Sequence, residues 1–166
     1  MCEEVVKLAG ITEYKVNKNP DLEDGDLAIL LSESKVKMNS IAIKLNTPKQ
    51  LFESIHEISK LTDHELSDNE IFEFFKDYNY CQKYLKNHEN PHVKVKVMSK
   101  FLEDIVDNFG FEKADENYDY VIYPDYLKEK VLNEDVKLIE IPSHGFVSKN
   151  PFERIETRYG ILEKLI

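Results

Sequence analysis

Tyr118-Asp-Tyr-Val-Ile-Tyr-Pro-Asp125, Val136-Lys-Leu-Ile-Glu-Ile141, Pro142-Ser-His-Gly-Phe-Val-Ser-Lys-Asn150 and Pro151-Phe-Glu-Arg-Ile-Glu-Thr-Arg158 decide how this chain is read. The order is strand, strand, loop, helix, with a turn or two of helix expected between the strands over 125–133. Each strand is a short apolar run closed by a proline, which cannot donate to a ladder, and then by polar residues. In an open α/β sheet, ligand sites form outside the carboxyl ends of the strands. The loops after Tyr123 and Ile141 are therefore the first place to look for a site.

Working back from that stretch, Ser99 is placed to cap a helix with Phe101, Leu102, Ile105, Val106 and Phe109 apolar, and Gly110 to end it. Before it, Val93-Lys-Val-Lys-Val97 alternates strictly, which suits an edge or half-exposed strand. Strand, helix and strand over about 30 residues make a βαβ unit. Earlier still, Ser67-Asp-Asn-Glu70 is a capping box, expected to open one helix running as far as Leu85 with Ile71, Phe74, Phe75, Tyr78 and Cys81 in register. Thr47-Pro-Lys-Gln50 is a second helix start. Leu27–Leu31 and Ser40–Leu45 read as strands, the first apolar throughout as a strand buried on both faces would be. The bridge between them fits a hairpin or a crossover, so their relative direction stays open. A short helix over 2–9, closed by Gly10, and a strand near Tyr14–Val16 complete the reading. The expectation is a single α/β domain, 1–166, with a largely parallel central sheet of about five or six strands flanked by helices. Its sub-lobes would be 1–46 and 93–166, joined by a helical pair over 47–92.

The formal net charge is -10, with no basic stripe. Phosphate neutralisation supplies most nucleic-acid affinity, so nucleic acid is not an expected partner, and an anionic membrane surface is no better suited. No apolar run approaches the length of a membrane span and the first residues lack a signal peptide's pattern, so a cytoplasmic protein is expected. The two cysteines, Cys2 and Cys81, form no CxxC pair, and Cys81 falls on an apolar helix face as an inert thiol would. His88 and His92 are separated by Pro91, and the acidic loop Asn19–Asp26 lacks regular calcium-ligand spacing. Five glycines leave no phosphate loop or dinucleotide fingerprint. No metal or cofactor is expected.

The candidate site residues are Asp125, Ser143, His144, Gly145, Ser148, Asn150, Arg154 and Arg158. Of the 22 lysines and arginines only Arg154 and Arg158 are arginine, four apart on one helix face. Arginine offers a planar fork for carboxylate or phosphate that lysine lacks. The pair either binds an anion or ties the helix to Glu153, Glu156 or another carboxylate. An unperturbed imidazole changes charge near neutrality, so His144 is a candidate acid, base or ligand. Asp125, after Pro124, either orients His144 or caps the turn that follows it, and Glu140 is a second orienting carboxylate. Gly145 permits a tight turn, Ser143 and Ser148 add hydroxyls, and Asn150 caps the last helix, with Glu153 placed for a capping box. No nucleophile elbow is present.

Tyr118–Tyr123, a short helix, then Leu-Ile-Glu-Ile-Pro-Ser-His-Gly145 resemble a Rossmann-like lobe of the kind used by nitrogenase component-like proteins and helical-backbone binding proteins. The resemblance covers about 45 residues, from common α/β patterning, and the cluster cysteines of the nitrogenase-like families are missing. The chain also resembles small uncharacterised proteins of methanogenic archaea. Three functions follow as expectations: a non-catalytic binding or accessory protein holding a small anionic ligand or a protein partner at the 142–158 edge; a small enzyme with His144 as general acid or base beside Asp125 or Glu140; or a structural subunit of a larger complex, which an exposed apolar patch on the Ile71–Leu85 helix would favour. No oligomeric state follows from the sequence.

Overall fold

The computed structural model of the chain describes residues 1–133, 135–143 and 147–166. These form an α/β fold with two parallel sheets, and the chain divides into two compact units: residues 1–45 with 49–77, and residues 46–48 with 78–166.

In the first unit, α1 (Cys2–Leu8) stops before Gly10, whose φ of 87° lies in the left-handed region that glycine adopts at no steric cost. Tyr14 and Val16 are exposed and outside any strand, contrary to expectation, because no partner strand lies beside them to fill their ladder. Asp21, in a single 3-10 turn, accepts hydrogen bonds from the N–H groups of Lys37 (2.8 Å) and Met38 (3.2 Å), closing the loop between them. β1 (Ala28–Leu31) and β2 (Ser40–Ile43) pair in parallel in their own two-stranded sheet, so the segment between them is a crossover and not a hairpin. Burial alternates along β1, with Ala28 and Leu30 buried and Ile29 and Leu31 half-buried; a sheet of two strands does not enclose both faces.

α2 (Pro48–Ser59) places Leu51, Ile55 and Ile58 fully out of solvent at helical spacing. α3 (Asp68–Phe75) opens on the expected capping box. Ser67 Oγ accepts from the Glu70 N–H, and the Glu70 carboxylate accepts from the Ser67 N–H at 2.8 Å and the Ser67 hydroxyl at 2.6 Å. The helix ends at Phe75 instead of running to Leu85. Tyr78 is extended (φ -123°, ψ 103°), and α4 (Asn79–Lys83) begins after it. The break is tertiary in origin: the Tyr78 ring stacks on Phe152 at 4.7 Å, its hydroxyl accepts from Asn150 at 3.3 Å, and the Cys81 N–H donates to Glu156 at 2.8 Å.

The second unit carries β3 (Asn90–Val97), α5 (Lys100–Phe109), β4 (Phe111–Lys113), β5 (Tyr120–Pro124), α6 (Lys128–Val131), β6 (Lys137–Ile141) and α7 (Pro151–Leu162). Its strands lie in the order β4-β3-β5-β6, all parallel. The six described strands thus occupy a four-stranded and a two-stranded sheet, where one central sheet was expected. β3 is not an edge, since the unforeseen β4 pairs with its outer side; its half-exposed face is as expected, with Lys94 and Lys96 partly open to water. Registered neighbours share a face of a sheet. Lys96 pairs with Val121 and Tyr123 with Glu140, so these residues line one face, where Val131 of α6 packs on Val121 and Tyr123. Phe111 lies on the opposite face, against Phe109 of α5, which in turn meets Tyr159 of α7.

This topology fixes where the strand order reverses. β3 leads through α5 to β4 on one side, whereas β5 leads through α6 to β6 on the other. The carboxyl ends of β3 and β5 are neighbours whose outgoing chains diverge, which is the switch point at which open α/β sheets hold ligands.

Candidate functional site

Three strand ends and two helix starts build the carboxyl edge of the four-stranded sheet. β5 ends at Pro124 and delivers Asp125, and β6 ends at Ile141 and delivers Pro142 and Ser143. Asp125 joins the two. Its carboxylate accepts from the Ser143 N–H (3.2 Å), the Ser143 hydroxyl and the Tyr126 N–H (2.9 Å). Among the described residues Asp125 thus holds Ser143 and the Tyr126 N–H.

Arg154 and Arg158 come together on this same loop. Arg154 donates from Nε and Nη2 to the Ser148 carbonyl (3.2 and 3.1 Å) and from Nη1 to the Ser143 carbonyl (3.5 Å). Arg158 donates from Nε to the Pro142 carbonyl (3.0 Å) and from Nη2 to the Ser143 carbonyl (3.5 Å), and its guanidinium lies 4.7 Å from the centre of the Phe101 ring. Neither arginine forms an ion pair with a carboxylate among the described residues, so the expected tie to Glu153 or Glu156 is not how they are held. Glu156 instead accepts from Cys81, and Glu153 from the Ser148 hydroxyl. Arg158 is only 4% exposed. Burial pulls its guanidinium down to about 10, the charge of Arg154 adds to this, and Asp125 opposes it. Burial lowers Arg154 as well. Both stay cationic at neutral pH.

The start of α7 is closed by its own residues. The Asn150 side chain accepts from the Phe152 N–H at 2.9 Å, Pro151 has no N–H, and the Asn150 N–H donates to Ser148 Oγ at 3.1 Å. A relay from Asn150 through Ser148 to Glu153 replaces the simple capping box. The first turn of α5, at the end of β3, differs. Ser99 stands at the N-cap position without a side-chain cap bond, and its Oγ is buried with no hydrogen-bond partner among the described residues. Phe101 in that turn is the ring beneath Arg158. The sequence identified Ser99 only as a cap. Its place beside the site comes from the strand order, which no local pattern announces.

His144 and Gly145 lie outside the described residues. Glu140, the alternative orienter, is engaged with Lys128 (3.1 Å) and the Tyr123 hydroxyl (3.3 Å) on the α6 face of the sheet. Cys81 is fully buried, and desolvation with Glu156 nearby raises its thiol far above the ordinary range. His88 Nε2 meets the Lys83 carbonyl at 2.9 Å. Among the described residues no group of three or more His, Cys, Asp or Glu is arranged to hold a metal ion, and no helix is long and apolar enough to cross a membrane. In comparisons with known proteins the chain matches no family model, no curated protein and no solved structure.

Proposed function

We propose that this protein is a binding or accessory protein that holds a small anionic ligand at the carboxyl edge of its four-stranded sheet, in a unit of Rossmann-like design. The observation that carries the reading is the pair of guanidinium groups, desolvated, adjacent in charge and bonded only to neutral carbonyls among the described residues. A buried cation costs several kcal/mol unless an anion meets it. Asp125 supplies part of that compensation to Arg158, but its oxygens already serve Ser143 and Tyr126. Arg158 Nη1 donates to none of the described residues, which leaves fork donors for a ligand oxygen.

Glu140, one of the two carboxylates named beside His144 in the acid–base reading, meets the Tyr123 hydroxyl and Lys128. The subunit reading calls for an exposed apolar patch on this helical stretch, and of α3 the exposed large apolar side chain is Phe72, 45% exposed and 4.9 Å from the Phe52 ring.

Native mass spectrometry of protein purified from its own cells tests the proposal. The expected spectrum has a small-molecule adduct in the wild type that is lost in Arg154→Gln, the less buried of the two arginines. Only the bare chain mass, or an adduct indifferent to Arg154→Gln, overturns the anion reading. A stoichiometric protein partner abolished by Phe72→Asp moves the assignment to the α3 surface.

A further inference from the structure

We infer that the anion is a phosphoryl group and that its seat is the switch point between β3 and β5, on the first turn of α5, with Ser99 Oγ and the Arg158 guanidinium as its side-chain donors. The inference rests on the anion-binding reading above and narrows it to one ligand chemistry and one place.

Three independent observations meet there. The first is topological: the chain leaves β3 toward β4 and leaves β5 toward β6, so the crevice outside these two carboxyl ends is where the connections part. The second is the helix start. α5 spans Lys100–Phe109; the Leu102 N–H turns back to the Ser99 carbonyl (3.1 Å), and no side chain caps the N–H groups of Lys100 and Phe101 ahead of it. Such an end attracts anions through its N–H groups and its dipole. At α7 the Asn150 side chain takes the Phe152 N–H and Pro151 has no N–H to offer, so the two helix starts at this edge are not equivalent. The third is the orphaned hydroxyl. Buried polar atoms are nearly always paired with protein, water or a bound group, and an exception marks a place where one of these can sit. Ser99 Oγ is that exception among the described residues, in a serine whose usual task, capping, is left undone.

Arg158 supplies the charge. Its guanidinium rests on Phe101, the second residue of α5, while its Nε is fixed by the Pro142 carbonyl at the end of β6. A guanidinium fixed at Nε and Nη2 keeps Nη1 for an external oxygen. A phosphoryl group offers three acceptor oxygens and up to two negative charges, enough to engage N–H groups, a hydroxyl and an arginine together. A carboxylate brings one charge and two oxygens in a single plane, so it meets the same donors with less charge and without a third oxygen direction. The oxygens of Asp125, the nearby acid, already accept from three donors.

Isothermal titration calorimetry with inorganic phosphate, and separately with acetate, tests this on the full chain. The wild type is expected to bind phosphate saturably and acetate far more weakly. Ser99→Ala should weaken phosphate about tenfold, the loss of one charge-assisted hydrogen bond. Because its hydroxyl has no partner to lose, the ligand-free variant should keep the wild-type melting temperature, whereas a serine acting as a true cap would not. Arg158→Lys, checked for folding by circular dichroism, should weaken phosphate further. Wild type that fails to bind phosphate, or Ser99→Ala that binds it as well as wild type, overturns the inference. If acetate then binds in an Arg154-dependent way, the broader anion reading survives; if neither anion binds, both fall.

Discussion

Arg158 and Arg154 look alike in sequence, yet their surroundings separate them by several-fold in consequence. Arg158 is buried, bonded to two carbonyls and stacked on Phe101, whereas Arg154 is half-buried and holds chiefly the Ser148 carbonyl. Truncating Arg158 removes the donor it gives the Pro142 carbonyl, one of the donors to the Ser143 carbonyl and a cation–π contact, so Arg158→Ala should cost about 3 kcal/mol in urea denaturation and Arg154→Ala about 1 kcal/mol. Arg158→Lys should recover little of the loss, because an ammonium cannot reproduce the fork or the stacking; equal costs for the two alanine variants would refute this division. Glu70 gives a residue-level pH dependence. Hydrogen bonds from the Ser67 hydroxyl and N–H, and then from His64, hold its carboxylate at about 2, well below the ordinary value. A depressed folded-state pKa means a contribution present above the unfolded-state pKa, roughly 4.3, and lost as pH falls through about 2. Urea midpoints measured across that window should decline more steeply in the wild type than in Glu70→Gln; identical slopes would show that the capping box carries no linkage.

At the level of the element, Gly110 closes α5 in the left-handed region (φ 70°), and a Cβ there would sit 2.0 Å from the His88 carbonyl oxygen and 2.7 Å from Glu89 Cα. Backbone strain and a clash with backbone act together, so Gly110→Ala should cost about 3 kcal/mol or more. Gly10→Ala, strained but with open space around it, should cost about 1 kcal/mol; thermal denaturation of the two variants checks the ranking. Gly110 was legible as a stop signal, but the crowding that forbids a side chain there was not. The same divide runs through the rest of the fold. β3, β5, β6, α5 and α7 were readable because their apolar residues keep a regular period. β4 was not, being only Phe-Glu-Lys after a glycine, with one buried side chain. The break between α3 and α4 was hidden because its cause, the Tyr78 ring on Phe152, joins residues far apart in the chain. At the candidate site the rarity of arginine pointed to Arg154 and Arg158, but main-chain carbonyls, which hold them, leave no mark on a sequence.

For the whole molecule, the two sheets set a gradient of local stability within one chain. β3 and β5 are interior strands, with Val95, Val121 and Ile122 fully buried and ladder partners on both sides. β1 and β2 each have one ladder partner, and Ser40 and Ala42 of β2 face water. A two-stranded sheet is marginal on its own, and parallel pairing is slightly weaker per residue than antiparallel. Amides bonded within the four-stranded sheet must therefore wait for global opening, whereas those of the pair β1–β2 can exchange when a few hydrogen bonds separate. Native-state hydrogen exchange in low urea should give Val121, Ile122 and Tyr123 the free energy and urea dependence of global unfolding. The β2 amides should exchange through smaller openings with a weaker urea dependence. Inorganic phosphate should then extend the contrast, because a ligand seated between β3 and β5 stabilises only states in which those strands are paired. Protection should rise for β3 and β5 and stay unchanged for any β2 amide that exchanges through a purely local opening. Uniform protection across both sheets would mean that the chain opens as a single cooperative body, and the gradient argued from strand position would be wrong.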